Sequence, residues 1–167
     1  MLLGMSLSTF TLLHVIISLI GIVTGLVVLY GLLKSQRMDS WTSIFLLTTV
    51  LTSVTGFLFP FNGFTPAIAF GILSMILLIA AIAARYAYHL AGSWRWIYVV
   101  TAVISLYLNC FVLVVQSFLK VPALNALAPT GSEPPFAIVQ GIVLLFFLIT
   151  GFLAVRRFHP LGSLQLA

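Results

Sequence analysis

The chain has 167 residues, 62% of them hydrophobic and 5% charged, with a formal net charge of +5 and a mean hydropathy of +1.28. Soluble domains carry about 25% charged residues, so this composition excludes a water-soluble globular protein and predicts an integral membrane protein. At roughly 20 apolar residues for each crossing of a bilayer about 30 Å thick, the length admits four or five helices and no separate soluble domain, and the basic excess reads as a topology signal, not as a nucleic-acid-binding surface.

The first span is expected over about 8–33. "MLLGMSLSTFTLLHVIISLIG" has an apolar core with no basic residue ahead of it, unlike a cleaved signal peptide, and this predicts a retained helix. Thr11, His14, Ser18, Gly21 and Gly25 recur at spacings of three and four and share one face. Gly21 and Gly25 form a GxxxG that lets a second helix approach closely, either inside the bundle or from a second copy of the chain.

The second span is expected over about 42–59, with Thr48, Thr52 and Thr55 in a stripe whose hydroxyls can return to carbonyls one turn back. "FPFNGFTPA" then supplies the turn, Pro60 followed by Asn62-Gly63, with Thr65 as N-cap and Pro66 as the first helical residue of a third span over about 66–90. "HLAGSWRW" ends that span near Gly92 and opens a fourth over about 95–119. Tyr98, Thr101, Ser105, Asn109, Gln116 and Lys120 share one face of the fourth, and an Asn and a Gln need partners on other helices. Cys110 lies in this run as the chain's single cysteine, which excludes an intramolecular disulfide and a CxxC pair and leaves it a packing role.

Residues 120–134 form the one sizeable loop, with Lys120 and Glu133 at its two ends. Glu133 and Pro134 suit the start of a fifth span over about 135–155, where a negative charge meets the positive end of the helix dipole. The expected fold is therefore an all-α, single-domain bundle of five transmembrane helices. Lys34, Arg37, Arg85, Arg95, Arg156 and Arg157 fall at one end of it and Lys120 alone at the other, which predicts the amino terminus outside and the carboxyl terminus inside.

Polar groups at bilayer depth usually face the bundle interior. At about 1.5 Å per residue, His14, Gln116 and Gln140 each lie roughly 6–9 Å below the outer helix ends, with Thr55 at a similar level. Together with Asn109 they predict an outer polar pocket, with a Lys120–Glu133 pair at its rim. Imidazole and carboxamides can hydrogen-bond the carbonyls and hydroxyls of a quinone headgroup or a lipid, or they can serve only as interhelical glue.

Haem b is the alternative that three histidines invite, and a bis-His haem needs two imidazoles at one depth on different helices. His14 falls near the outer end and His89 and His159 near the inner end, which sets these groups apart. There is no paired carboxylate, HExxH, nucleophile elbow or Gly-rich phosphate loop, and no Asp or Glu inside a span to carry a proton path. The chain thus reads as a small-molecule-binding or accessory subunit rather than an enzyme. It would lie in the lipid bilayer, alone, as a homo-oligomer or beside a larger complex such as a redox assembly; a small oligomeric transporter or channel is a further alternative.

The blocks "LYLNCFVLVVQSFLKVPALNALAPTGSEPPF", "FLLTTVLTSVTGFLFPF" and "LAGSWRWIYVVTAV" resemble a group of small multi-pass proteins of the bacterial inner membrane. The resemblance implies that membrane and a stand-alone bundle. It brings no activity, cofactor or site residue with it.

Overall fold

Hydroxyls and prolines set the helix starts. Ser6 accepts a hydrogen bond from the Thr9 N–H at 3.1 Å and opens α1 (Leu7–Leu33). Left-handed Met38 precedes α2 (Asp39–Phe57). Thr65 accepts from the Ile68 N–H at 3.4 Å ahead of Pro66, the first residue of α3 (Pro66–Ile82). A π-helical turn, Ala83–Ala87, extends α3 before α4 (Trp94–Lys120). Pro122 begins the single turn α5 (Pro122–Asn125), and Glu133 and Pro134 begin α6 (Pro134–Arg157). The structure is a computed structural model describing residues 4–60, 63 and 65–160; Asn62 of the expected turn lies outside the described residues.

Among the described residues the fold is all-helical, and five of the helices are long and apolar enough to cross a membrane: α1, α2, α3 with its π turn, α4 and α6, of 27, 19, 22, 27 and 24 residues. At about 1.5 Å per residue the shortest still approaches a hydrocarbon core about 30 Å thick. Two boundaries differ from expectation by three residues, and one connection holds an unexpected helical turn. α2 starts three residues earlier, because Asp39 enters its first turn and meets Arg85. The third span ends at Ala87, because His89 and Leu90 take left-handed backbone with φ of 48° and 63°. Lastly, the 120–134 segment contains α5, held back onto α4 by Asn125 Nδ2 donating to the Phe118 carbonyl at 3.1 Å.

α4 sits against α1, α3 and α6, while α1 packs on α2 and α6, and α2 on α3. Apolarity cannot choose the inner face of a helix that is apolar all round, and in lipid the choice falls to small residues that allow close approach. Gly21 and Gly25 are buried. A Cβ at Gly25 would stand 2.5 Å from Leu106 Cδ1 and 2.9 Å from the Phe45 ring, so α1 closes against α4 and α2 of its own bundle there. Outward, Val23, Ile79 and Ile142 are 59%, 64% and 63% exposed, an apolar girdle suited to lipid. Trp41 and Trp96 are exposed near the end that carries the six basic residues, where amphipathic rings favour the headgroup level.

Candidate functional site

At the opposite end, where α1 and α3 begin and α2 and α4 finish, the four helices border a cleft of about 590 Å³. Its walls are apolar, with Ile22 from α1, Phe57 from α2, Phe70 from α3, and Leu108 and Val112 from α4. Among them stand His14, Asn109, Gln116 and Lys120. This size and this sparse polar lining are typical of small-molecule sites, which run from about 300 to 1,000 Å³.

Most hydroxyls of the cleft are already spent, the exception being Ser74 of α3, which makes no hydrogen bond among the described residues. Thr11, Ser18, Thr52, Ser53 and Ser117 each donate to the carbonyl four residues back, which is how Ser and Thr satisfy themselves inside a membrane helix. They offer a ligand lone pairs and no proton. Thr55 does the same, donating to the Leu51 carbonyl at 2.7 Å, and it also lies 2.7 Å from His14 Nδ1. Because its one proton goes to Leu51, the Thr55 oxygen accepts from His14, which puts the imidazole proton on Nδ1 and leaves Nε2 an acceptor. Phe59 sets an edge-to-face contact on the same ring at 5.2 Å. The imidazole is therefore held in one orientation and one tautomer.

The nitrogen donors come from α4. Asn109 Nδ2 reaches Thr49 Oγ1 at 3.5 Å, a long and weak bond. Among the described residues the Gln116 carboxamide and the Lys120 ammonium make no hydrogen bond or ion pair, and both residues are exposed. The cleft thus combines one fixed acceptor, carboxamides and one cation within apolar walls.

No protein-family model, curated protein or solved structure matches the chain.

Of the residues singled out in the sequence, the cleft gathers His14, Asn109, Gln116 and Lys120, with Thr55 behind His14. Gln140 and Glu133 stand elsewhere. Gln140 is buried against α4, where its Nε2 donates to the Phe111 carbonyl at 3.1 Å and its Oε1 has no partner among the described residues. The Lys120–Glu133 rim pair does not form. Glu133 instead accepts from the Thr130 N–H at 3.0 Å, the Thr130 hydroxyl at 2.8 Å and the Ser132 N–H at 3.0 Å. Desolvation pushes its carboxyl up, but these bonds, with a further one from its own N–H, outweigh it and hold the group down at about 2.

The other end holds a cluster that sequence reasoning missed. Arg85 in the π turn is 1% exposed; its Nη2 donates to the Arg37 carbonyl at 2.9 Å and pairs with the Asp39 carboxylate, while its guanidinium lies 5.2 Å from the centre of the Tyr98 ring. Arg85 Nε and Nη1 and the Tyr98 hydroxyl are buried without partners among the described residues. One signal was available: Asp39 is one of only two acidic residues in the chain. Nearby, Arg95 Nη1 donates to the Val155 and Phe158 carbonyls at 2.9 and 2.7 Å and closes the end of α6. His159 presents its N–H to Ser35 Oγ at 2.8 Å, and His89 is exposed beyond the π turn. These two histidines and His14 are thus at opposite ends of the bundle, and no pair that includes His14 meets the geometry of a bis-His haem.

Proposed function

We propose that the chain is a multi-pass protein of the bacterial inner membrane that binds a small amphipathic molecule, quinone-like or lipid-like, in the cleft among α1, α2, α3 and α4, as a binding or accessory subunit. The observation that carries this reading is the fixed His14 imidazole, with Nε2 held as an acceptor, in an apolar cleft of about 590 Å³. Groups serving only as interhelical glue would pair with one another. Here His14 Nε2, Gln116 and Lys120 keep hydrogen-bonding capacity among the described residues. The distribution of basic residues, six at the far end against Lys120 at this one, favours a cleft that faces the periplasm.

The test is organic extraction and mass spectrometry of protein purified in mild detergent, with a visible spectrum of the same sample. A stoichiometric quinone or lipid, lost in His14→Ala at nearly unchanged thermal stability, is the expected result. An empty protein, or a Soret band with ligand retained by His14→Ala, overturns the reading.

A further inference from the structure

The charges around the cleft narrow its ligand further. Lys120 and Glu133 are the two charged side chains that the sequence places at this end of the bundle, and Glu133 is taken up by Thr130 and Ser132. Lys120 therefore lines the cleft as a cation with no acidic partner among the described residues. One turn deeper on the same helix face, Gln116 offers carboxamide N–H donors. Such donors suit an anion, because N–H bonds to ionised acceptors are roughly twice as strong as neutral ones. His14 Nε2, an acceptor, would repel an anion's lone pairs, so the negative group belongs with Lys120 and Gln116.

The cleft of about 590 Å³ falls within the range of small-molecule sites, about 300–1,000 Å³, and its apolar walls suit one acyl chain. Resting on the ligand-cleft reading above, we infer that the cleft selects a single-chain anionic amphiphile, a long-chain carboxylate, with its headgroup on Lys120 and Gln116 and its chain between Phe57, Phe70 and Val112.

The experiment compares binding of tritiated hexadecanoate and hexadecanol to the protein in phosphatidylcholine nanodiscs, against empty discs, at a pH where the acid is ionised. Hexadecanol can hydrogen-bond His14 Nε2 or Lys120 but brings no negative charge to the Lys120 ammonium. The carboxylate is expected to bind about tenfold more tightly, the ratio one charge-assisted hydrogen bond supplies. Lys120→Gln should erase that preference and Lys120→Arg keep it. Equal affinity for acid and alcohol, or a preference that survives in Lys120→Gln, overturns the anion inference and leaves the cleft reading standing. Displacement of hexadecanoate by phosphatidylglycerol added to the discs assigns Lys120 to bilayer headgroups and overturns it too. Binding of neither probe counts against the cleft reading itself.

Discussion

The His14 imidazole donates from Nδ1 to the Thr55 hydroxyl at 2.7 Å, and that hydroxyl donates in turn to the Leu51 carbonyl at 2.7 Å. A backbone carbonyl of α2 therefore sets the tautomer of a side chain on α1. In Thr55→Val the shape is nearly kept and the acceptor is lost. The expected result is a mixture of tautomers, read from imidazole ¹⁵N shifts, where the wild type shows one protonated Nδ1. The stability cost should be small, about 0.6 kcal/mol, the mean for an interhelical hydrogen bond in a membrane protein.

Close packing at Gly25 predicts a larger effect. A Cβ there would meet Leu106 and Phe45 below 3.0 Å, whereas one at Gly141 on α6 would meet nothing within 4 Å. Gly25→Ala should lower stability by about 1–3 kcal/mol, and Gly141→Ala should be neutral or stabilising by up to about 1 kcal/mol. Thermal unfolding in one detergent compares the two directly. Equal effects would mean that α1 does not close on Leu106 and Phe45.

The Arg85–Asp39 pair joins a buried guanidinium to a largely exposed carboxylate, 1% and 71% accessible. Asp39→Asn removes the counter-charge but leaves the Arg37 carbonyl bond, so its cost should be about 1–3 kcal/mol, that of a hydrogen bond to a charged group. Arg85→Met keeps much of the volume and removes two unpartnered donors, and should cost less than Arg85→Ala. In the double variant Arg85→Met/Asp39→Asn, the Asp39 change should add almost nothing, which a double-mutant cycle reads as coupling. Full additivity would show that the pair does not act together.

Glu133 predicts a pH dependence confined to its turn. Its folded carboxyl is depressed from 4.5 to about 2, so its contribution is complete above the ordinary value of 4.5 and is lost as pH falls from there through about 2. Hydrogen exchange at the Thr130 and Ser132 amides, corrected for intrinsic rates, should lose protection across that window. In Glu133→Gln the same amides should already be weakly protected at neutral pH and show no step.

Much of this arrangement was legible in the residues. Thr65 and Pro66 mark a helix start, and Gly21 and Gly25 mark a close approach, because caps and clashes are local. Counting turns placed His14, Thr55 and Gln116 at one level; His14 and Gln116 line one cleft, with Thr55 behind His14. The same counting placed Gln140 with them, yet it hydrogen-bonds the Phe111 carbonyl away from the cleft. Depth along a helix follows from rise per residue, but the direction a residue faces depends on which helices become neighbours. α6 joins the bundle against α4 and α1, and none of its residues lines the cleft.

The charged residues divide in the same way. Composition and spacing suffice for a membrane bundle of five helices, because hydrocarbon thickness and backbone satisfaction leave few alternatives. Opposite signs at the ends of the 120–134 loop suggested an ion pair, but Glu133 finds three donors within three residues at little loss of chain entropy. Asp39 and Arg85, 46 positions apart, meet because the α2 and α3 helices lie side by side. Which cation is buried with a partner and which is left at the cleft is a property of packing, since it depends on every helix at once and no local stretch of sequence contains it.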